Sequence, residues 1–300
     1  MAYVGNHVIN LPFSTNIDQV TVDKMPLSAA NSSLAQSLRP YPQYTGIGSS
    51  GGYYNAVSNY NSAQLSVRKR FARGVSFDAN YTWSKMMSEQ DSSGWSSNAG
   101  TAYWQNAYLP GVNYGRSNLD RTHLFKADGI YQFPFGKGRK LLNHGGPIDW
   151  VAGGWQLSGI LQYQSGQPYT PTMSSNNSGA LVGNCYPNVV GDPVLASPTI
   201  AKWFNYDAFA APQNGIFGNA GRNILVGPGL SQVDFSMAKS FMIPKLENGR
   251  LQLKLDSTNI LNHTSFSNPN ASIGSTGNVG KITGATVSGR TIQLGARLSF

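Results

Sequence analysis

The C-terminal end of the chain alternates strictly. Ile292, Leu294, Ala296, Leu298 and Phe300 share one parity, and Thr291, Gln293, Gly295, Arg297 and Ser299 fill the other. A period of two held over a whole segment predicts a strand with one apolar and one wet face. The pattern recurs upstream. Ala63, Leu65, Val67 and Phe71 alternate with Gln64, Ser66, Arg68 and Arg70. After a turn at Ala72-Arg73-Gly74, Val75, Phe77, Ala79, Tyr81 and Trp83 alternate with Ser76, Asp78, Asn80, Thr82 and Ser84, which predicts a hairpin. Further strands are expected at Phe125 to Phe133, Trp155 to Gln164, Val233 to Phe241 and Leu251 to Leu255, with a brief one near Ala2 to His7. Only Ile160 breaks the alternation of its segment.

Between these segments, connections of two kinds take turns. Residues 72–74, 135–153 and 244–250 read as turns, the last carrying an Asn-Gly pair suited to a hairpin. Residues 86–120 and 166–230 are long, rich in Gly, Asn, Ser and Pro, and without sustained period. Short turns on one side and long loops on the other are the asymmetry of a transmembrane barrel, short in the periplasm and long outside. The fold class expected is therefore all-β: an antiparallel up-and-down transmembrane β-barrel, present as an open partial barrel of about seven or eight strands with long extracellular loops. Ile292, Leu294, Leu298 and Phe300 should face lipid, and Gln293 and Arg297 the lumen. A strand ending the chain on an aromatic residue, Ile292 through Phe300, is also expected to be the signal read by the barrel-assembly machinery.

Composition supports this picture. Of 300 residues only 12% are charged, about half the roughly 25% usual in soluble domains, and 34 are Gly. No run of about 18 apolar residues exists, so no membrane-spanning helix is expected, and a mean hydropathy of -0.27 does not oppose a barrel whose strands are half polar. The net charge of +9 comes largely from clusters at strand ends, such as Arg68, Lys69, Arg70 and Arg73, or Lys137, Arg139 and Lys140. With no recognition motif beside them, a nucleic-acid partner is not expected. Cys185 is the only cysteine, which removes intramolecular disulfides and cysteine-based zinc sites. The residues after Met1 form neither a basic nor an apolar leader, so either the membrane reading fails or the chain begins inside a longer protein.

Candidate chemistry is sparse. His7, His123, His144 and His263 show no metal-binding spacing; no GxSxG elbow, phosphate-binding loop or calcium-loop spacing occurs. Neither catalysis nor a cofactor is expected. What remains are aromatics set among amides and hydroxyls in the long stretches: Trp95, Tyr103, Trp104, Tyr169, Trp203 and Tyr206 are the candidate ligand contacts, since such platforms suit sugars or peptides. Packing of the loops on one another is an equal alternative use of the same rings.

The segments SNYNSAQLSVRKRFARGVSFDANYTWSKMMS (58–88), NYGRSNLDRTHLFKADGIYQFPFGKGRKLL (113–142), GGWQLSGILQYQSGQPYTP (153–171) and TIQLGARLSF (291–300), in this order, resemble the C-terminal barrel region of Oar-like TonB-dependent receptors. Residues 2–18 resemble the family's entry into that region. The resemblance implies a plugged barrel of about 22 strands in the cell outer membrane that imports a ligand, a carbohydrate, peptide or chelate, with energy from TonB. Residues 1–300 would be the C-terminal part of the wall, 1–52 a short strand and irregular loop and 53–300 strands and loops. The partners implied are lipid, the assembly machinery, the N-terminal barrel and plug missing from this chain, and TonB through that plug. The competing class is a free-standing small barrel or a secreted β-sandwich adhesin.

Overall fold

A computed structural model describes residues 1–13, 16–47, 53–91, 105–143, 146–181, 185–243, 249–275 and 277–300. Among the described residues eight strands form the wall: β1 (Ala2–Phe13), β2 (Tyr53–Ala72), β3 (Val75–Ser88), β4 (His123–Gln132), β5 (Trp155–Gln164), β6 (Leu230–Met242), β7 (Arg250–Thr258) and β8 (Thr291–Ser299). Each pairs antiparallel with its neighbour in sequence, and the order runs β1 to β8 without a crossover. A two-residue strand, Gly115–Arg116, adds to the end of β3. No pairing joins β1 to β8 among the described residues, so the sheet is open.

Pairing fixes what each face carries, because residues opposite one another in an antiparallel ladder project to the same side. One rung reads Val67, Ala79, Ala127, Leu161, Val233; another reads Tyr131, Leu157, Met237, Leu255, Leu294. The opposite face carries Arg68, Asp78, Asp128, Ile160, Asp234 in one rung and Asn80, Lys126, Gln162, Gln232 in the next. Ile160 thus sits among charges on the polar face. The apolar face is bare: Leu65, Val67, Phe77, Trp83, Tyr163, Leu253 and Leu294 are all exposed. An uncovered apolar surface of this extent is unstable in water and stable in hydrocarbon.

Aromatics edge that band at both ends. Tyr81, Trp83 and Tyr163 lie toward the long loops; Tyr131, Trp155 and Phe241 lie toward the short turns. Such girdles sit at lipid headgroup level, where a ring is half wet. Lys239 occupies an apolar-face position in the second girdle. Its ammonium donates to the Gly153 carbonyl and stands 4.9 Å from the Phe241 ring centroid and 5.4 Å from that of Trp155, so its alkyl stem lies along apolar surface and its head reaches the rim.

Several boundaries differ from the alternation. β1 runs to Phe13 because irregularities between Val8 and Pro12 let pairing continue past the break in pattern. β2 extends to Tyr53, since its loop-side half pairs with β1 and β3 beyond the apolar band. The β2–β3 turn has Arg73 at φ 54° and Gly74 at φ 85°, the two positive values that a two-residue hairpin turn demands. Two short helices interrupt the connections. α1 (Met25–Ala30) lies in the first long loop, and α2 (Pro147–Ala152) follows β4, each started by a proline in its first turn. A six-residue helix shows no measurable period in sequence. No helix among the described residues is long and apolar enough to cross a membrane.

These faces make the end of the chain testable. Leu294→Arg sets a cation on the apolar face, which costs about 2–4 kcal/mol near the bilayer midplane, whereas Gln293→Arg points to the polar side. Outer-membrane yield, measured by fractionation and heat-modifiable gel mobility, should collapse for the first and hold for the second. Equal yields would sink the assignment of the two faces.

Candidate functional site

The long connections leave the sheet at one end and fold together over its polar face. The floor of this layer is the loop-side end of β2 and β3, where Ser58, Ser62, Ser84 and Ser88 are buried on the polar parity. Residues 115–122 bind there first. The Asp120 carboxylate accepts from the Met86 amide at 2.7 Å and from the Arg116 guanidinium at 2.6 and 3.0 Å; Ser117 donates its amide to the Met86 carbonyl.

Arg222, from the long segment between β5 and β6, reaches this floor. Its guanidinium pairs with the Asp91 carboxylate at 2.9 Å, and it donates to the Ser88 carbonyl and hydroxyl. Ser88 and the Asn118 amide also donate to Asp91. Asn223 beside it donates to the Arg116 carbonyl at 2.6 Å and accepts from Thr170 at 2.9 Å. Both charged side chains of the pair are under 5% exposed. Burial lowers the Arg222 pKa from its usual value while the Asp91 charge opposes this, which is the balance of a desolvated pair.

A second set of clips ties the first loop to the others. Gln19 donates to the Gln105 carbonyl and accepts from the Ala107 amide. Gln105 in turn donates to the Gly218 carbonyl and accepts from the Tyr186 amide. Asp18 accepts from the Tyr41 amide, and Arg39 donates to the Asp18 carbonyl. Around these, among the described residues, lie two small cores. Val20, Met25 and Ala180 form one. Tyr169, Tyr186, Phe204, Phe209, Leu225 and Ile273 form the other, with Phe204 edge-on to both Tyr169 and Phe209 at about 6 Å between ring centroids. Gly166 lies so close to the Gly227 carbonyl that no side chain fits there, which brings the start and end of the same long segment together.

The candidate contact residues separate accordingly. Tyr169 is 8% exposed inside the larger core, its hydroxyl has no partner among the described residues, and burial raises its pKa. Its ring builds the layer and offers no surface. Trp203 and Tyr206 pack on the edge of this core, half-buried. Trp203 donates its indole N–H to the Val226 carbonyl at 2.9 Å, and Tyr206 carries the Lys202 ammonium 4.4 Å from its ring centroid. These two remain at the outer side of the layer. Trp95, Tyr103 and Trp104 lie outside the described residues. Arg222, Asp91, Gln19 and Gln105, which hold the layer together, are not among the residues expected from sequence. Isolated charges in a stretch otherwise nearly free of them were the available signal.

Below the layer, the polar face holds a cavity of ≈ 380 Å³ lined by Lys126, Asp128, Ser158, Asp234, Ser236 and Asp256. Asp256 is paired with Lys254 at 2.9 Å, and Asp78 with Arg68 at 2.5 Å. Among the described residues no group of three or more His, Cys, Asp or Glu is placed to hold a metal ion. Cys185 is buried, and burial pushes its thiol pKa up, away from the reactive thiolate.

A bare apolar band with aromatic edges, a polar opposite face and loops gathered at one end define a wall of the outer-membrane β-barrel class. The chain belongs to the outer membrane beta barrel domain family, whose model matches residues 1–293. Its place is the outer membrane. Searches of curated proteins and of solved structures return no match.

Two measurements check the loop layer. Arg222→Ala leaves the Asp91 carboxylate buried without its cation, a loss of about 3–5 kcal/mol. Proteolysis of the folded protein should then cut within 165–229 far faster, and Arg222→Met combined with Asp91→Leu should restore most of the protection; unchanged cleavage in Arg222→Ala would remove the pair from its anchoring role. Burial also raises the Tyr186 phenol from 10.0 to about 12. A raised folded pKa stabilises the layer fully below pH 10, and that share is lost as pH rises toward 12. Near-ultraviolet circular dichroism should show loosening in that window for the natural chain and a weaker pH dependence for Tyr186→Phe.

Proposed function

We propose that the chain is part of the wall and the extracellular ligand-binding loops of a TonB-dependent, Oar-like receptor that imports a carbohydrate, peptide or chelate. The observation that carries this reading is the polar face. Eight strands that close on themselves leave room only for their own side chains. Here the inner face carries Lys126, Asp128, Asp234, Lys254 and Asp256 around open space, which suits a wide wet passage completed by more strands. The end-to-end similarity of segments 58–88, 113–142, 153–171 and 291–300 to that receptor type supports it. The layer of loops closed over one end supplies a surface with amides and aromatic edges for a solute, and Trp203 and Tyr206 are its candidate contacts. In this reading β8, from Ile292 to the Phe300 terminus, is the segment handed to the barrel-assembly machinery, and the chain performs no catalysis.

The test is genetic and then electrical. Deleting the gene in its host should abolish energy-dependent uptake of one ligand within a panel of carbohydrates, peptides and metal chelates, and an uncoupler should mimic the deletion. Uptake of the whole panel unchanged by deletion would overturn the receptor reading. In parallel, the 300-residue chain refolded in detergent should form no stable pore in planar bilayers. A monodisperse monomer with steady conductance would instead make the chain a small autonomous barrel.

A further inference from the structure

The connection between β4 and β5 does more than turn the chain. α2 lies outside the apolar face, with Trp150 packed on Phe241 at 5.6 Å between ring centroids and the Trp155 indole donating to the Val151 carbonyl. Ile148, Trp150 and Val151 are all more than half exposed. Between this helix and the strands runs a groove of ≈ 820 Å³, lined by Trp150, Val151, Met237, Phe241, Leu255 and Leu294. The groove is apolar except for Lys239, whose ammonium is held by the Gly153 carbonyl, belongs to the face that meets hydrocarbon, and opens at the short-turn girdle. A short amphipathic helix with Trp and aliphatic side chains bared toward lipid has the character of an interfacial element.

The charges above it are mainly cationic. Lys137, Arg139 and Lys140 are exposed in the turn that precedes α2, and Asp149 is the only carboxylate from 133 to 154. Asp149 is occupied: it accepts the Lys137 amide at 2.7 Å and so fastens the cationic turn to the helix that roofs the groove. Arg139 leans to the polar side, donating to Gln132 at 3.0 Å, which leaves Lys137 and Lys140 exposed and without a carboxylate partner among the described residues. The neighbouring β2–β3 turn adds Lys69, Arg70 and Arg73 at the same end of the sheet. Cations at the membrane surface attract anionic lipid headgroups.

We propose that this rim is a binding site for an anionic phospholipid of the periplasmic leaflet, one acyl chain lying in the groove beneath α2 and its phosphate held by Lys137 and Lys140. The pairing of apolar groove and mainly cationic rim selects a two-part ligand. A soluble anion would use only the lysines, and a neutral lipid only the groove.

The test uses the full chain reconstituted in phosphatidylcholine vesicles carrying, at equal mole fraction, brominated phosphatidylglycerol or brominated phosphatidylcholine, with tryptophan quenching as readout. The part of the quenching lost in Trp150→Phe reports the groove. Phosphatidylglycerol should quench Trp150 in clear preference to phosphatidylcholine. Lys137→Gln with Lys140→Gln should lower that preference roughly 25-fold, at about fivefold per cation, while Lys126→Gln on the opposite face leaves it intact. Val151→Glu, which puts a carboxylate in the groove, should reduce quenching by both lipids. Equal quenching by the two lipids, quenching of Trp150 by neither, or a preference that survives the double lysine change would overturn the site.

Discussion

Hydrocarbon offers no partner to a bare backbone N–H or C=O, and each one left open there costs several kcal/mol. That constraint governs this chain. It forces the membrane-embedded segments to be strands paired at full register, and it makes pairing with the sequence neighbour, through a short turn or a long excursion, the economical arrangement. Once the strands are so paired, the pleat divides every residue between two solvents, and the identity of each position follows. The open edges of β1 and β8 are where the constraint is unmet by the described residues, and they are the places on the wall where another strand could pair.

The wall was legible because its pattern is local. Ten residues suffice to see that Leu294 and Gln293 face opposite sides, and the pairing of Leu255 with Leu294 and Asp256 with Gln293 follows the same parity. Where the parity rule met a local exception, the structure has a physical reason. Lys239 tolerates the apolar side because its ammonium reaches a carbonyl at the rim. The full length of β2 was not legible, since outside the hydrocarbon its partners, and no longer its alternation, hold it in a strand.

The loop layer was illegible for the opposite reason. Its defining contacts join residues 131 and 134 positions apart, as in Arg222 to Asp91 and to Ser88, and no window of sequence contains both ends. The aromatics that drew attention as possible contacts divide by burial: Tyr169 closes a core, and Trp203 and Tyr206 edge it. The amides that clip loops together, Gln19 and Gln105, look in sequence like any other solvated polar residue. Their role comes from the backbone groups they meet.

The difference in reach between wall and layer also orders events in time. Hairpins such as β2–β3 and β6–β7 close loops of a few residues and can zip successively, whereas the pairing of Arg222 with Asp91 must wait until β3, β4 and β5 stand in line. Contacts of such long reach are the slowest to form, and until Arg222 docks, the polar face of the wall stands open at the loop end.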